Sequence, residues 1–223
     1  MTDRRKAGSG PSGTPDVPLA KPASVIPRGR LSQVRREAAD CQACPLWRGA
    51  TQTVFGEGPQ RAMIMLIGEQ PGAQEDIEGR PFVGPAGHLL DQALEAAGLQ
   101  RESLYLTNTV KHFKYELRGK RRLHKSANAS EQAACRMWLA AELLRVKPRI
   151  VVGLGAMAAQ TMFGNAFRIT RERGQWRELG ESVRGIATWH PSALLRMASD
   201  PQAREAAWNQ LVEDLRKVAE AAK

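Results

Sequence analysis

A-M-I-M-L-I-G-E-Q-P-G, residues Ala62 to Gly72, is the stretch from which the fold can be read. Ala62 to Ile67 is a continuous apolar run of strand length, and Gly68 to Gly72 supply the glycines and proline of a turn, so a buried strand empties directly into a loop. α/β proteins place their chemistry at such exits. On either side the pattern repeats. Leu31 to Asp40 reads as a short helix. Gly87 to Ala97 has helical spacing and stops at Gly98, a C′ glycine. Leu104 to Val110 is a second strand. Asn128 and Glu131 stand at capping-box spacing and open a helix to about Val146. Arg149 to Leu154 is a third strand, Ala156 to Phe163 a helix, and Gly185 to Thr188 a short fourth strand before Trp189-His190-Pro191-Ser192. Pro201 to Ala222 is a last amphipathic helix, with Trp208, Leu211, Leu215 and Val218 along one face. Strands alternating with helices predict an α/β fold with a mostly parallel sheet covered on both faces. No internal repeat is visible.

The 223 residues, 42% hydrophobic, suffice for one well-buried domain. Residues 1–29 are rich in Pro, Gly, Ser and basic side chains without hydrophobic periodicity and are expected to be a disordered basic tail, leaving 30–223 as the domain. No apolar run is long enough to span a bilayer, and the polar N-terminus lacks a signal-like hydrophobic segment, so no membrane partner and a cytoplasmic location are expected. The formal net charge of +10 is concentrated. Lys111 to Lys125, K-H-F-K-Y-E-L-R-G-K-R-R-L-H-K, nets +6, residues 1–30 net +4, and the remaining 178 residues balance. Localised positive charge favours a polyanionic partner, nucleic acid or an acidic membrane surface, and composition does not choose between them.

Three cysteines make an odd number, and Cys41 and Cys44 are too close for an ordinary structural bridge. A lone C-x-x-C serves a metal, a cluster or a redox dithiol. His112, at the end of the second strand, and Cys135, one turn into a helix, would complete a Cys3His set suited to zinc or an iron–sulfur cluster. Gly153-Leu154-Gly155-Ala156-Met157-Ala158 fits G-x-G-x-x-A, but it follows the third strand, and Arg171 to Arg173 are not the acidic strand end a dinucleotide site needs. Close packing of helix on strand accounts for these glycines.

Five ordered motifs carry a resemblance. G-E-Q-P-G-x-x-E-D, G-R-P-F-V-G-P-A-G-x-L-L-D, T-N-T-V-K-H-F-K, K-R-R-L-H-K and H-P-S-A-L-L-R look like the family 4 uracil-DNA glycosylases over about residues 31 to 220. Gln70, His112 where ordinary members carry Cys, and Lys120 to Lys125 are similar to the X-type branch (UdgX), with Leu123 the one departure from the usual Ile. The resemblance implies a three-layer α/β/α fold with a four-stranded, mostly parallel central sheet. It implies a four-iron, four-sulfur cluster on Cys41, Cys44, His112 and Cys135, structural in role. It implies a monomer whose partner is uracil-containing DNA, single strands included.

Site roles follow from the same resemblance. Phe82 is the stacking wall for a flipped uracil, Asn108 reads its donor and acceptor edge, and Gln70 and Gly72 belong to the same substrate loop. His190 donates toward the departing uracil oxygen, and Glu69 favours the sugar cation, orients a water or holds a histidine in its reactive tautomer. Lys120, Arg121, Arg122, Lys125, Ser192 and Arg196 are expected to touch DNA. His124 is the expected nucleophile, its imidazole oriented by a carboxylate and attacking the sugar carbon, so that the protein becomes covalently joined to the abasic site. Two rivals remain: ordinary turnover, in which water captures the sugar, and a noncatalytic cluster-bearing DNA-binding protein.

Overall fold

In a computed structural model, which describes residues 25–223, the chain runs through α1 (Leu31–Ala39), β1 (Ile64–Gly68), α2 (Ala73–Glu78), α3 (Pro85–Ala96) and β2 (Tyr105–Asn108). It continues through β3 (Tyr115–Arg118), β4 (Arg121–His124), α4 (Ala129–Val146), β5 (Ile150–Leu154), α5 (Gly155–Phe163) and α6 (Ile169–Glu172). It ends with β6 (Arg177–Gly180), β7 (Val183–Thr188), α7 (Pro191–Arg196) and α8 (Pro201–Ala221). The sheet order is β2-β1-β5-β7-β6. The first four are parallel, as the apolar runs predict, and β6 adds a fifth, antiparallel edge strand through a bulged hairpin with β7. The expected count of four therefore holds for the parallel part alone; Arg-Glu-Leu-Gly has little strand propensity and is drawn into the sheet by pairing with β7.

Successive residues of β1 feed opposite layers. Met65 and Ile67 pack with α1, α4 and α5 residues such as Val34, Leu139 and Met162, all buried. Ile64 and Leu66 pack on the other face with Leu90, Leu94, Leu211 and Leu215 of α3 and α8. Five consecutive buried residues in β1 and again in β5 are what a sheet covered on both sides demands. Asn128 caps α4 as expected, its side chain accepting from Glu131 N at 2.9 Å while Glu131 Oε2 accepts from Asn128 N at 2.7 Å.

The expected tail lies outside the described residues up to residue 24. Residues 25–29 have no regular structure, yet Ile26 packs on the core and Arg145 donates to the carbonyls of Pro27 and Gly29, so the domain's packing begins a few residues before position 30. The basic segment is not a loop but the two-stranded β3–β4 hairpin, turning at Gly119-Lys120, where Gly119 takes a φ of +62°. Its register sets Tyr115 opposite His124 and Arg118 opposite Arg121.

Candidate active site

The carboxyl ends of the parallel strands open on a cavity of about 420 Å³, lined among others by Glu69, Gln70, Phe82, Asn108, His124 and His190. Among the described residues, three buried polar atoms in this lining have no hydrogen-bond partner: Glu69 Oε1, Gln70 Oε1 and Asn108 Oδ1. An orphaned buried acceptor is costly, and three around one hollow leave it poised for a ligand that donates. The Gln70 amide is oriented because its Nε2 donates to Lys114 O at 3.1 Å.

Close approach forms the wall of the cavity. A Cβ at Gly68 would stand 2.4 Å from Asn108 Oδ1 and 2.6 Å from Phe82 Cζ, so glycine at the end of β1 is what lets ring and amide meet. Phe82 itself holds a φ of +56°, the left-handed region that a bulky aromatic rarely adopts. Gly72 N begins α2 and donates to Glu75 Oε2 at 3.0 Å.

His190 is the N-cap of α7, and its Nδ1 accepts from Ser192 N at 3.1 Å. The neutral ring therefore carries its proton on Nε2. Burial, with lesser electrostatic contributions from Arg196 and His124, pulls its pKa down to about 4, so at neutral pH it is an uncharged donor. Its ring centre lies 6.1 Å from that of Phe82. Behind it, Gly155 at φ +86° admits His190 Cβ to 2.9 Å of where its own Cβ would be, and at Gly153 a Cβ would meet Met162 Sδ at 3.0 Å. The G-x-G-x-x-A glycines thus serve close packing. Ser192 Oγ accepts from Arg196 at 3.1 Å, and both residues line the cavity.

The hairpin brings His124 to the opposite lip. Its ring leans on Phe113 with centres 6.3 Å apart. The expected carboxylate does not appear: among the described residues no acid hydrogen-bonds the His124 ring. The cations around it divide. Lys111 is fully buried, its Nζ 2.6 Å from Glu142 Oε2 and donating also to Thr107 Oγ1 and Asn108 O, so it contributes nothing to a surface field. Lys114 pairs with Glu131 at 2.8 Å, and Arg122 reaches the buried Asp76 at 2.7 Å while lying over the Phe113 and Tyr115 rings. Arg122, expected on DNA, is instead the pin between hairpin and α2. Lys125 pairs with Glu116 across the surface at 2.9 Å. Arg118, Lys120 and Arg121, at the tip, make no ion pair among the described residues, and they are the free charge.

The four candidate metal ligands are less converged than their spacing suggests. The Cys135 thiol hydrogen-bonds Cys44, drawing Cys44 down to about 6, and Cys135 Sγ accepts from Lys111 N at 3.4 Å. Cys41 Sγ accepts from Trp138 Nε1 at 3.1 Å. His112 turns Nε2 to Thr53 Oγ1 at 2.9 Å, leaving Nδ1 buried without a partner among the described residues. Three sulfurs and an orphaned imidazole nitrogen are the donor chemistry of an iron–sulfur site. Even so, among the described residues no group of three or more His, Cys, Asp or Glu side chains is placed to hold a metal.

Two residues of the site escaped the sequence reading. Glu75, buried, accepts from Gly72 N and, through Oε1, from Val83 N at 3.1 Å and Gly84 N at 2.9 Å, tying the loop after β1 to the start of α3. Gly72-x-x-Glu75 has the spacing of a cap, and that spacing was its signal. Arg101, in no motif, donates to the carbonyls of Pro81 and Phe82 and had none.

Comparison with known proteins gives a consistent picture. The model of the uracil DNA glycosylase superfamily matches residues 55–216. A type-4 uracil-DNA glycosylase of Archaeoglobus fulgidus is 36% identical over 183 residues, covering 78% of this chain and 86% of the relative. That of Thermotoga maritima is 38% identical over 168 residues, covering 75% and 84%, and that of Sulfurisphaera tokodaii 34% over 200 residues, covering 86% and 84%.

Proposed function

The chain belongs to the uracil DNA glycosylase superfamily, among its family 4-like members, and from that membership we propose that it excises uracil from DNA and then joins itself to the abasic sugar through His124. The observation that carries the reading is the trio of unpartnered acceptors, Glu69 Oε1, Gln70 Oε1 and Asn108 Oδ1, in one cavity with an aromatic wall and a neutral His190.

Uracil reaches such a cavity only when flipped out or already unpaired. Stacked on Phe82, it offers N3–H to Asn108 Oδ1 and O4 to the amide NH2. Cytosine presents an acceptor at N3 and leaves the buried oxygen unpaired, which is how the site discriminates. As the N1–C1′ bond breaks, its electron pair moves onto uracil, and His190 Nε2–H stabilises the charge on O2. Glu69 offsets the positive charge developing on the sugar. The His124 lone pair then forms a bond to C1′, and the imidazole loses its other ring proton to solvent while the uracil anion is protonated. His124 stands on the cavity wall, and among the described residues its ring has no hydrogen bond to break first. An unpartnered Glu69 oxygen can equally orient a water, the turnover alternative. The partner in this reading is uracil-containing DNA, single strands included, met by a monomer in the cytoplasm; among the described residues no helix is long and apolar enough to cross a membrane.

We further propose that Cys41, Cys44, His112 and Cys135 hold a four-iron, four-sulfur cluster, supported by the three thiols, the orphaned His112 Nδ1 and the N–H donors to two of the sulfurs. When bound, it would cross-link α1, α4 and the base of the hairpin, and the bond cleavage does not depend on it. Bound iron with visible charge-transfer absorbance, lost in Cys135→Ser, is the test.

The functional test is one gel. A labelled oligonucleotide with a single uracil is incubated with protein, boiled in detergent and run under denaturing conditions. A band containing both protein and DNA, absent for His124→Ala, is expected. Free abasic DNA from the unsubstituted protein would replace capture by turnover, and unchanged DNA would leave only binding.

A further inference from the structure

We propose that Arg101 is the positioning residue for the Phe82 wall, an inference that rests on the glycosylase reading for its kinetic consequences but not for its geometry. Phe82 occupies a backbone conformation disfavoured for an aromatic residue, with φ +56°, and such strain persists only where the surroundings over-determine it. Three constraints meet here. In front, the ring is set against Gly68, where a Cβ would lie 2.6 Å from Cζ. Behind, α3 comes so close that a Cβ at Gly87 would stand 2.0 Å from Phe82 O. Beneath, Arg101 Nη2 donates to Pro81 O and Phe82 O, both at 3.1 Å.

The guanidinium is itself anchored. Its Nη1 lies 2.5 Å from Asp91 Oδ1 on α3, and Glu57 Oε1 stands 3.7 Å from Nη2. One planar group therefore ties the two peptide carbonyls of the strained turn to the helix that follows it. An ammonium cannot hold two carbonyls and a carboxylate in one plane, so lysine is no substitute. The Arg101 side chain is only 21% exposed and three of its N–H donors are held by Pro81 O, Phe82 O and Asp91, so it is not one of the charges that meets phosphate.

The test uses Arg101→Lys, Arg101→Ala, Phe82→Ala and the double variant Phe82→Ala with Arg101→Ala. Uracil release in single turnover should fall about 100-fold in either Arg101 variant, the scale of an ångström-sized misplacement. In the Phe82→Ala background the Arg101 substitution should cost less than about threefold, because the wall it holds is gone. Affinity for a uracil-free oligonucleotide should not change. Losses that multiply, an unaltered rate, or an equal loss of affinity for the uracil-free strand would each overturn the assignment. If Arg101→Ala does not fold, Arg101→Lys is read in its place. A readout independent of activity is the nuclear Overhauser effect between the Phe82 ring and Gly68 Hα. It should weaken or vanish in the Arg101 variants, and its persistence overturns the proposal whether or not the protein releases uracil. Absence of uracil release from the unsubstituted protein, with the Overhauser effect weakened in the Arg101 variants as expected, would instead remove the glycosylase reading.

Discussion

Acidification should leave His190 neutral well below the pH at which an ordinary imidazole charges. Its pKa lies at about 4 rather than 6.5, chiefly through burial, then through electrostatic contributions from Arg196 and His124. The Ser192 N–H aimed at Nδ1 works in the same direction, since a protonated ring would turn donor against donor. A displacement of this size corresponds to about 3 kcal/mol between the two protonation states. In the unfolded chain the ring takes up a proton from about pH 6.5 downward, whereas the folded protein resists until about pH 4. Stability is therefore complete above about pH 6.5, is lost as the pH falls toward 4, and loses no more below that, amounting to about 2 kcal/mol at pH 5. Two measurements test this. The His190 Cε1–H resonance, assigned by its absence in His190→Gln, should titrate near pH 4. Denaturant unfolding at pH 7.5 and pH 5 should show the unsubstituted protein losing about 2 kcal/mol more than His190→Gln over that interval. A midpoint near 6.5, or equal losses in the two proteins, would refute the reasoning. Uracil release should persist on the acid side of pH 6.5, and His190→Ala should lower it by about 10² to 10³ by removing a donor to the developing oxyanion.

Gly68→Ala should cost about 1–3 kcal/mol by overpacking and uncouple Asn108 from Phe82, because the new methyl would stand 2.4 Å from the amide oxygen and 2.6 Å from the ring; thermal unfolding and uracil release both read it, and unchanged release would show that the two residues do not act together. Lys111→Met should cost about 3–5 kcal/mol by leaving Glu142 buried without its cation, seen as a lowered Tm, and a variant as stable as the parent would mean that Gly56 N, Tyr105 and Thr107 alone satisfy that carboxylate.

What could be read from the sequence divides by the distance over which each signal acts. The strand at Ile64–Gly68 and the cap at Asn128 were legible because an apolar run and a four-residue spacing are local statements. The carboxyl-end placement of Glu69, Asn108 and His190 followed from the topology those strands imply. The hairpin was hidden because four cations mask the alternation of Tyr115 to His124, and its turn rests on one left-handed glycine. Which of those cations remain free was not legible at all. Their partners, Glu142, Glu131 and Asp76, come from helices before and after the segment, and only the assembled fold brings them within reach. The absent carboxylate at His124 is an error of the same kind, since a pairing cannot be read from one of its members.

That division of the charges bears on the choice between imidazole and water. Arg122 to Asp76, Lys114 to Glu131 and Tyr115 OH to Gly49 O at 3.1 Å all fasten the hairpin to the body of the protein, and Lys125 N to Lys114 O at 3.0 Å closes its base. The segment richest in charge is thus mostly a bracket, and only its tip is left to meet phosphate. A bracketed side chain competes differently from a tethered one. Unpositioned water can offer no more than its bulk concentration, whereas an oriented nucleophile, whether the His124 ring or a water held by Glu69, reaches effective molarities of about 10⁵–10⁸ M. In the proposed reading, a stiff bracket is what would let His124 compete with a water held by Glu69. In the proposed covalent reading, the ion pairs of Lys114 and of Arg122, the one of the two expected on DNA, would fix in advance the one group whose placement that chemistry needs.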